Sequence, residues 1–390
     1  MTIKDEINRD HELLTEWRRD FHAHPELAFE EERTSALVAE RLESFGIEVD
    51  RGLAKTGVVG TLKAGTGNRA IALRADMDAL PMQESNDFAH ASKTAGKMHG
   101  CGHDGHTTML LGAAKYLAET KNFDGTIYFI FQPAEEGKGG AEVMVKEGLF
   151  EKFPAEAVYG MHNWPGMPVG EFAASPGPMM ASFDIFDLVI RGKGGHGAMP
   201  HQGVDSILVA SQVVGALQSI ASRNTDPVDA LVVSVTQIHG GDAYNVIPDE
   251  VRLAGTVRSF RDEVRAGVAP AMKRIADGVC AAYGATAELQ YQKLYPATVN
   301  SVEETEQAVA AAAALVGADR INHNPVPSMG AEDFAFMLRE KPGSYVWVGN
   351  GAGAGGCMLH NPGYDFNDEI IPLGASYWAT LAEQVLPAER

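Results

Sequence analysis

The segment Met98-His99-Gly100-Cys101-Gly102-His103-Asp104-Gly105-His106 packs three histidines, a cysteine and an aspartate among glycines, directly ahead of an apolar stretch. Glycine allows sharp backbone bends that let several side chains converge on one point. Imidazole, thiolate and carboxylate are the ligands of borderline-soft divalent metals. The plain alternative is a polar loop that caps a helix with its histidines in water. So many donor side chains in one turn favour the metal.

A second segment, Thr126-Ile127-Tyr128-Phe129-Ile130-Phe131-Gln132-Pro133-Ala134-Glu135-Glu136-Gly137, runs as an apolar strand into two adjacent carboxylates. Open α/β folds place their sites at the carboxyl ends of parallel strands, so chemistry is expected here. Adjacent side chains point apart, which suits a division of labour. One carboxylate would bind metal and the other hold a proton, with a dication separating their proton affinities. A bare acidic strand end is the alternative that this segment alone leaves open. Val158-Tyr159-Gly160-Met161-His162-Asn163-Trp164 brings a histidine to a third strand end, and Leu359-His360-Asn361-Pro362 offers another in a late loop. With Cys101, His103 and one glutamate these make five N, S and O donors. That is more than a structural zinc uses and suits two metals sharing a bridge. Arg74-Ala75-Asp76-Met77-Asp78 ends another strand, where Asp78 can orient a ligand or the base from behind.

Other chemistries fail on spacing. His11-Glu12-Leu13-Leu14-Thr15 has a threonine where a zincin helix needs its second histidine. Residues 351–356 satisfy a dinucleotide pattern by letters, but Cys357-Met358-Leu359-His360-Asn361-Pro362 follows instead of a helix, leaving a flexible glycine loop. Ser328 lacks the leading glycine of a nucleophile elbow, and no Walker A pattern occurs. A formal net charge of −20 disfavours nucleic acid and anionic membranes as partners. The polar start and the lack of an apolar stretch of roughly 18 residues point to a soluble, cytoplasmic protein. Three cysteines without framework spacing fit the same reducing compartment.

These groups need a sheet to bring them together. The 390 residues, 45% hydrophobic and 22% charged, suggest two globular domains or one with an insertion. Apolar runs at 58–62, 70–74, 126–131 and 157–161 read as buried strands. They alternate with helices over 30–45, stopped by Gly46, and 104–119, opened by Asp104. This rhythm predicts an α/β domain with a mostly parallel sheet covered by helices. The order then changes to strand 183–190, helix 206–222, strands 230–238 and 251–257, helix 262–283 and strand 286–291. That βαββαβ order predicts an inserted α+β, ferredoxin-like domain. Helices over 302–315 and 331–338, strand 344–348 and helix 373–386 return to the first style. The expected division is a catalytic domain of residues 1–185 and 296–390 around an insert of residues 186–295.

The whole chain also carries an ordered set of motifs: Arg18-Arg19-Asp20-Phe21-His22-Ala23-His24-Pro25-Glu26-Leu27, residues 74–81, 101–106, 132–137, 160–164 and 194–200, Asn245-Val246-Ile247-Pro248, Gly255-Thr256-Val257-Arg258 and Gly330-Ala331-Glu332-Asp333-Phe334. This set resembles the dinuclear-metal aminoacylase and carboxypeptidase superfamily. It is most similar to the amidohydrolase branch of hippurate hydrolases, indole-acetyl-amino-acid hydrolases and N-acetyldiaminopimelate deacetylases. The resemblance implies a zinc-exopeptidase-like fold in which the insert is a lid or dimerisation domain. It implies that Cys101, His103, Glu136, His162 and His360 bind two divalent ions (zinc, manganese, nickel or cobalt). Cys101 would bridge them as a thiolate where many relatives have aspartate. Glu135 then matches the general base and Asp78 the carboxylate that supports the centre. Asp76 departs from the ligand histidine of the peptidases, with His103 placed to compensate. His196 matches the histidine that stabilises the oxyanion, supplied across a dimer in several relatives. Asn245 and Arg258 match residues that hold the intermediate and the substrate carboxylate; a turn former and a strand salt bridge are their plain alternatives. The implied reaction is hydrolysis of the amide bond of a small N-acyl amino acid by a homodimer or higher homo-oligomer. A carboxypeptidase or dipeptidase, and a non-catalytic metal-binding scaffold, are the competing readings. His99, His106 and His201 have no assigned role beyond capping or support.

Overall fold

A computed structural model describes residues 2–352 and 357–388. It divides into two compact units, one of Met1–Met179, Val299–Val326 and Asp333–Arg390, the other of Met180–Thr298 and Pro327–Glu332. The short return Pro327–Glu332, which the sequence assigns to the larger part, belongs to the smaller unit. There the Ala181 N–H donates to the carbonyls of Ser328 and Gly330 at 3.0 and 2.9 Å.

The larger unit is built on eight strands in the order Glu48–Arg51, Val58–Ala64, Gly125–Gln132, Ala70–Asp76, Ala157–Pro165, Gly343–Gly351, Phe172–Ala173 and Ile321–Asn322. Ala70–Asp76 pairs parallel with both neighbours, and Ala157–Pro165 pairs parallel with Gly343–Gly351. Glu48–Arg51 and Val58–Ala64 run antiparallel on one side, and Phe172–Ala173 is antiparallel to Gly343–Gly351 on the other. The sheet is thus mostly parallel with antiparallel margins. Ala70–Asp76 is buried at every position although it contains Arg74 and Asp76, as a strand covered on both faces requires. Helices Glu32–Ser44, His103–Thr120, Val302–Val316 and Ile371–Val385 supply Val38, Leu42, Leu110, Leu117, Ala308, Ala312, Trp378 and Leu381 to the core.

Two helix starts differ from the sequence expectation. The cap before His103–Thr120 is Gly102, at φ 92°, and a Cβ there would meet Asn163 Oδ1 at 2.4 Å and Tyr364 Oη at 2.7 Å. Asp104 lies within the first turn and turns its carboxylate to Arg18 and His22 of the helix His11–Ala23. Instead of a helix over 331–338 there is Ala335–Glu340. Asp333 stays outside it because its carboxylate accepts from Gln132 Nε2 and Ala141 N–H at 2.8 and 2.9 Å.

In the smaller unit four antiparallel strands lie in the order Leu231–His239, Glu250–Ser259, Phe183–Arg191 and Thr286–Tyr295. Helices Ser206–Leu217 and Asp262–Tyr283 complete a βαββαβ unit. Phe186, Leu188 and Ile190 alternate inward along their strand onto Val209, Val213, Val268 and Met272 from the helices. The glycine loop read at 351–356 falls largely on 353–356, outside the described residues. Among the described residues no helix is long and apolar enough to cross a membrane.

Candidate metal centre

Three strands of the larger sheet, Ala70–Asp76, Gly125–Gln132 and Ala157–Pro165, run parallel. Asp76 to Asp78, Pro133 to Glu136, and His162 therefore emerge at one edge of the sheet, where helix His103–Thr120 begins. The donor atoms of Cys101, His103 and His162 lie within 4.8 Å of one another, as do those of Cys101, Glu136 and His360, and those of His103, Glu135 and Glu136. All five sequence-predicted ligands thus meet beside Glu135. Cys101, His103, His162 and Glu135 are buried, Glu136 is half-buried, and the His360 side chain is 53% exposed.

Local hydrogen bonds aim the donors. His162 donates from Nδ1 to the Asn163 carbonyl at 2.7 Å, so its Nε2 lone pair faces Cys101 Sγ at 3.4 Å. His103 donates from Nδ1 to Asp78 Oδ1 at 3.2 Å, while its buried Nε2 has no hydrogen-bond partner. A carboxylate behind a ligating imidazole fixes its tautomer and raises its basicity. Asp78 also accepts the backbone N–H groups of Glu135 and Glu136 at 3.0 and 2.9 Å. The chain leaves extended geometry after Gln132: Ala134 has φ 57°, a left-handed conformation that costs on the order of 1–3 kcal/mol for a non-glycine residue. Because of that turn the adjacent glutamates do not diverge as on a strand, and both reach the neighbourhood of His103. Glu135 Oε1 accepts the Asp333 N–H at 3.3 Å.

The charges call for a cation. Burial pushes the Cys101 thiol well above its ordinary range, and Glu136 and Glu135 push it further. Burial opposes charge on His103, but Asp76, Asp78 and Glu136 hold its imidazole up to about 10. Burial likewise opposes ionisation of Glu136, yet His360 and His103 keep its carboxyl low. Burial, followed by His106, holds His162 well below the usual histidine range, leaving it neutral and able to ligate. A buried thiol, imidazoles and carboxylates around His103 Nε2, which makes no hydrogen bond and lies 3.8 Å from Asp76 Oδ2, form a donor set that divalent ions satisfy, with sulfur suiting zinc and oxygen tolerating manganese.

Two features go beyond the sequence reading, which gave His106 no more than a capping or supporting role. His106 is buried between Asp76 Oδ1, 2.6 Å from its Nδ1, and Asn163, whose Oδ1 and backbone N lie 2.8 and 3.0 Å from its Nε2. His103 and His106 stand one helical turn apart, a spacing that could have flagged the second histidine. The other is an ion network around Asp104. Its Oδ2 accepts from His22 Nδ1 at 2.8 Å and lies 3.4 Å from Arg18, which also pairs with Asp365 at 2.9 Å and Asp368 at 2.6 Å. Burial opposes charge on His22, but Asp104 and Glu84 raise its imidazole to about 9. This network ties the helix that begins at His103 to the loop that follows His360.

The remaining predicted residues lie in the smaller unit. His196 and Asn245 are brought together: His196 pairs with Val246, and the Gly197 N–H donates to the Asn245 carbonyl at 2.8 Å. The Ala198 N–H donates to His196 Nδ1 at 3.1 Å, so a neutral imidazole carries its proton on Nε2. Among the described residues Arg258 makes no salt bridge within 4.0 Å. Its guanidinium lies 3.9 Å from the Phe183 ring centroid, and it donates to the carbonyls of Met329 and Val257, both at 3.2 Å.

A model of peptidase family M20/M25/M40 matches residues 72–384. The chain is 42% identical over 369 residues to the hippurate hydrolase of Campylobacter jejuni, with 95% of each chain covered. It is 39% identical over 387 residues to thermostable carboxypeptidase 1 of Saccharolobus solfataricus, with 97% of each covered. It is similar to the crystal structure of the Bacillus subtilis YXEP protein, a dinuclear metal binding peptidase of the M20 family. There the TM-score is 0.86 at 38% identity, over 97% of this chain and 99% of that one. With the matched segment spanning both units and the metal-ligand cluster of the larger one, the chain belongs to peptidase family M20/M25/M40.

Proposed function

We propose that this chain is a metal-dependent amidohydrolase that cleaves N-acyl amino acids, such as hippurate-like, N-acetyl or indole-acetyl conjugates, to a carboxylic acid and a free amino acid. The observation that carries the reading is Glu135: a carboxylate in reach of the donor cluster, placed beside a second glutamate that faces Cys101 and His360. A storage or structural site has no use for it. Cys101, His103, Glu136, His162 and His360 would hold two divalent ions. When bound, these supply Lewis acidity toward water and the substrate carbonyl.

Glu135 takes a proton from the attacking water and passes it to the leaving amine nitrogen. Asp78 holds the backbone of both glutamates and the ring of His103, so base and ligand keep one geometry. His196 offers its Nε2–H to the developing oxyanion, supported by Asn245. Arg258, whose fork has no carboxylate partner among the described residues, receives the carboxylate of the amino-acid half. The smaller unit also suits self-association. Leu231–His239 is an edge strand with Val232 and Ile238 exposed, and Ile207 and Leu208 are exposed on the helix Ser206–Leu217. Such an edge favours a homodimer. Three free cysteines, one of them a ligand, suit the cytoplasm.

Because two relatives are named carboxypeptidases, hydrolysis of small peptides is the second reading. The test is a panel of N-benzoyl, N-acetyl and indole-acetyl amino acids beside dipeptides, assayed with zinc, manganese, cobalt and nickel in turn. At least one N-acyl amino acid should exceed every dipeptide in kcat/KM by about tenfold or more, roughly 1.4 kcal/mol of transition-state preference. The reverse order would favour the peptidase.

A further inference from the structure

Among the described residues, the non-glycine positions at positive φ are Phe29, Ala54, Lys55, Lys121, Ala134 and His360. Backbone of this kind persists only where its surroundings over-determine it, and it gathers at functional sites. His360 is a candidate ligand. Four of the others flank a single buried carboxylate, Glu31. Phe29 lies two residues before it, and the Lys55 ammonium stands 5.1 Å from the centroid of the Phe29 ring. Ala54 and Lys55 lead into Thr56, whose hydroxyl donates to Glu31 Oε2 at 2.6 Å. Ala134 donates its N–H to Glu31 Oε1 at 2.9 Å.

The turn that carries the glutamate pair is therefore held at three successive backbone N–H groups. Ala134 is held by Glu31, and Glu135 and Glu136 by the two oxygens of Asp78. Glu31 is fully buried, and burial pushes its carboxyl up to about 7 against the pull of the Thr56 hydroxyl. A side chain needed only to fill space would serve better if apolar, since a buried carboxylate is costly.

We propose that Glu31 is a positioning residue for the general base, fixing the left-handed turn at Ala134 from which Glu135 projects. The inference rests on the reading of Glu135 as that base. Glu31 acts on the geometry of the reacting step and not on substrate binding, so its loss lowers kcat and leaves KM.

The test uses the full-length, metal-loaded enzyme and an N-acyl amino acid, with bound metal measured for every variant. Glu31→Ala should lower kcat by about 10- to 100-fold, the scale of a misplaced reacting group, with KM and metal content near wild type. Glu31→Gln should recover most of that loss, because its amide oxygen can accept from Ala134 and its amide N–H can donate to the Thr56 hydroxyl. Adding Ala134→Gly to Glu31→Ala should recover part of it, because glycine takes the left-handed turn without strain. If Glu31→Ala does not fold, Glu31→Leu replaces it under the same expectations, filling the volume without an acceptor. Wild-type kcat in the metal-replete alanine or leucine variant overturns the proposal, as does a loss that neither glutamine nor glycine recovers. Wild-type turnover by metal-replete Glu135→Ala would remove the reading of the base. Full turnover by Glu31→Ala beside an inactive Glu135→Ala would remove only the positioning role.

Discussion

Metal-replete Glu135→Ala, and likewise Glu135→Gln, should turn over about 10²- to 10⁴-fold more slowly than wild type, the usual loss when a general base is removed. The expectation follows from the turn at Ala134. It brings both carboxylates near His103, while Glu136 lies within reach of Cys101 and His360 in the donor cluster. Metal content should change little, because the five candidate ligands are untouched. Metal analysis and steady-state kinetics on the same preparation check both halves. Wild-type turnover with full metal would remove Glu135 from the chemistry, and loss of metal together with activity would make it a ligand.

His196→Ala should lower kcat by about 10²- to 10³-fold with folding and metal content preserved, the range for loss of one oxyanion donor. The physical ground is the Ala198 N–H, which occupies Nδ1 and leaves the Nε2 proton available on an exposed side chain. A histidine of the smaller unit would serve a reaction at the centre of the larger one by closure within its own chain or from a partner subunit. Mixing His196→Ala with Glu135→Ala chains under subunit exchange separates these routes. Activity regained in verified heterodimers means that the partner supplies the imidazole, because one hybrid site again holds both groups. No recovery favours closure within one chain. A His196→Ala enzyme with wild-type kcat contradicts both.

Much of the centre was legible because its donors are crowded in sequence. Cys101 and His103 sit among glycines, and Glu135, Glu136 and His162 close apolar runs, where a parallel sheet presents its carboxyl ends. The helix Asp262–Tyr283 and the βαββαβ order were legible for a similar reason, since local periodicity carries them. What stayed hidden depends on pairs far apart in the chain. Arg18 meets Asp365 and Asp368 across some 350 residues, and no local pattern announces that meeting. The helix His11–Ala23 was read as a failed zincin motif at its start and as part of a family motif at its end, with no role given to Arg18 and His22, which stand at i and i+4 on it. The antiparallel margin at Glu48–Arg51 and Val58–Ala64 was invisible because composition does not encode strand direction. Glu31 stands in the acidic run Glu30-Glu31-Glu32-Arg33, which carries no local signal of a role, and only folding places it against Ala134.

The central claim, a two-metal amidohydrolase, is tested most directly by stripping the full-length protein of metal and titrating zinc or manganese back. Bound ion and hydrolysis of an N-acyl amino acid are followed together. Activity should be absent at the start and reach its plateau at two ions per chain, and Cys101→Ser should need far more metal to approach it because a hydroxyl is a poorer ligand than a thiolate. Full amide hydrolysis by the metal-free chain, or two tightly bound ions with no hydrolysis of any N-acyl amino acid or peptide, would contradict it.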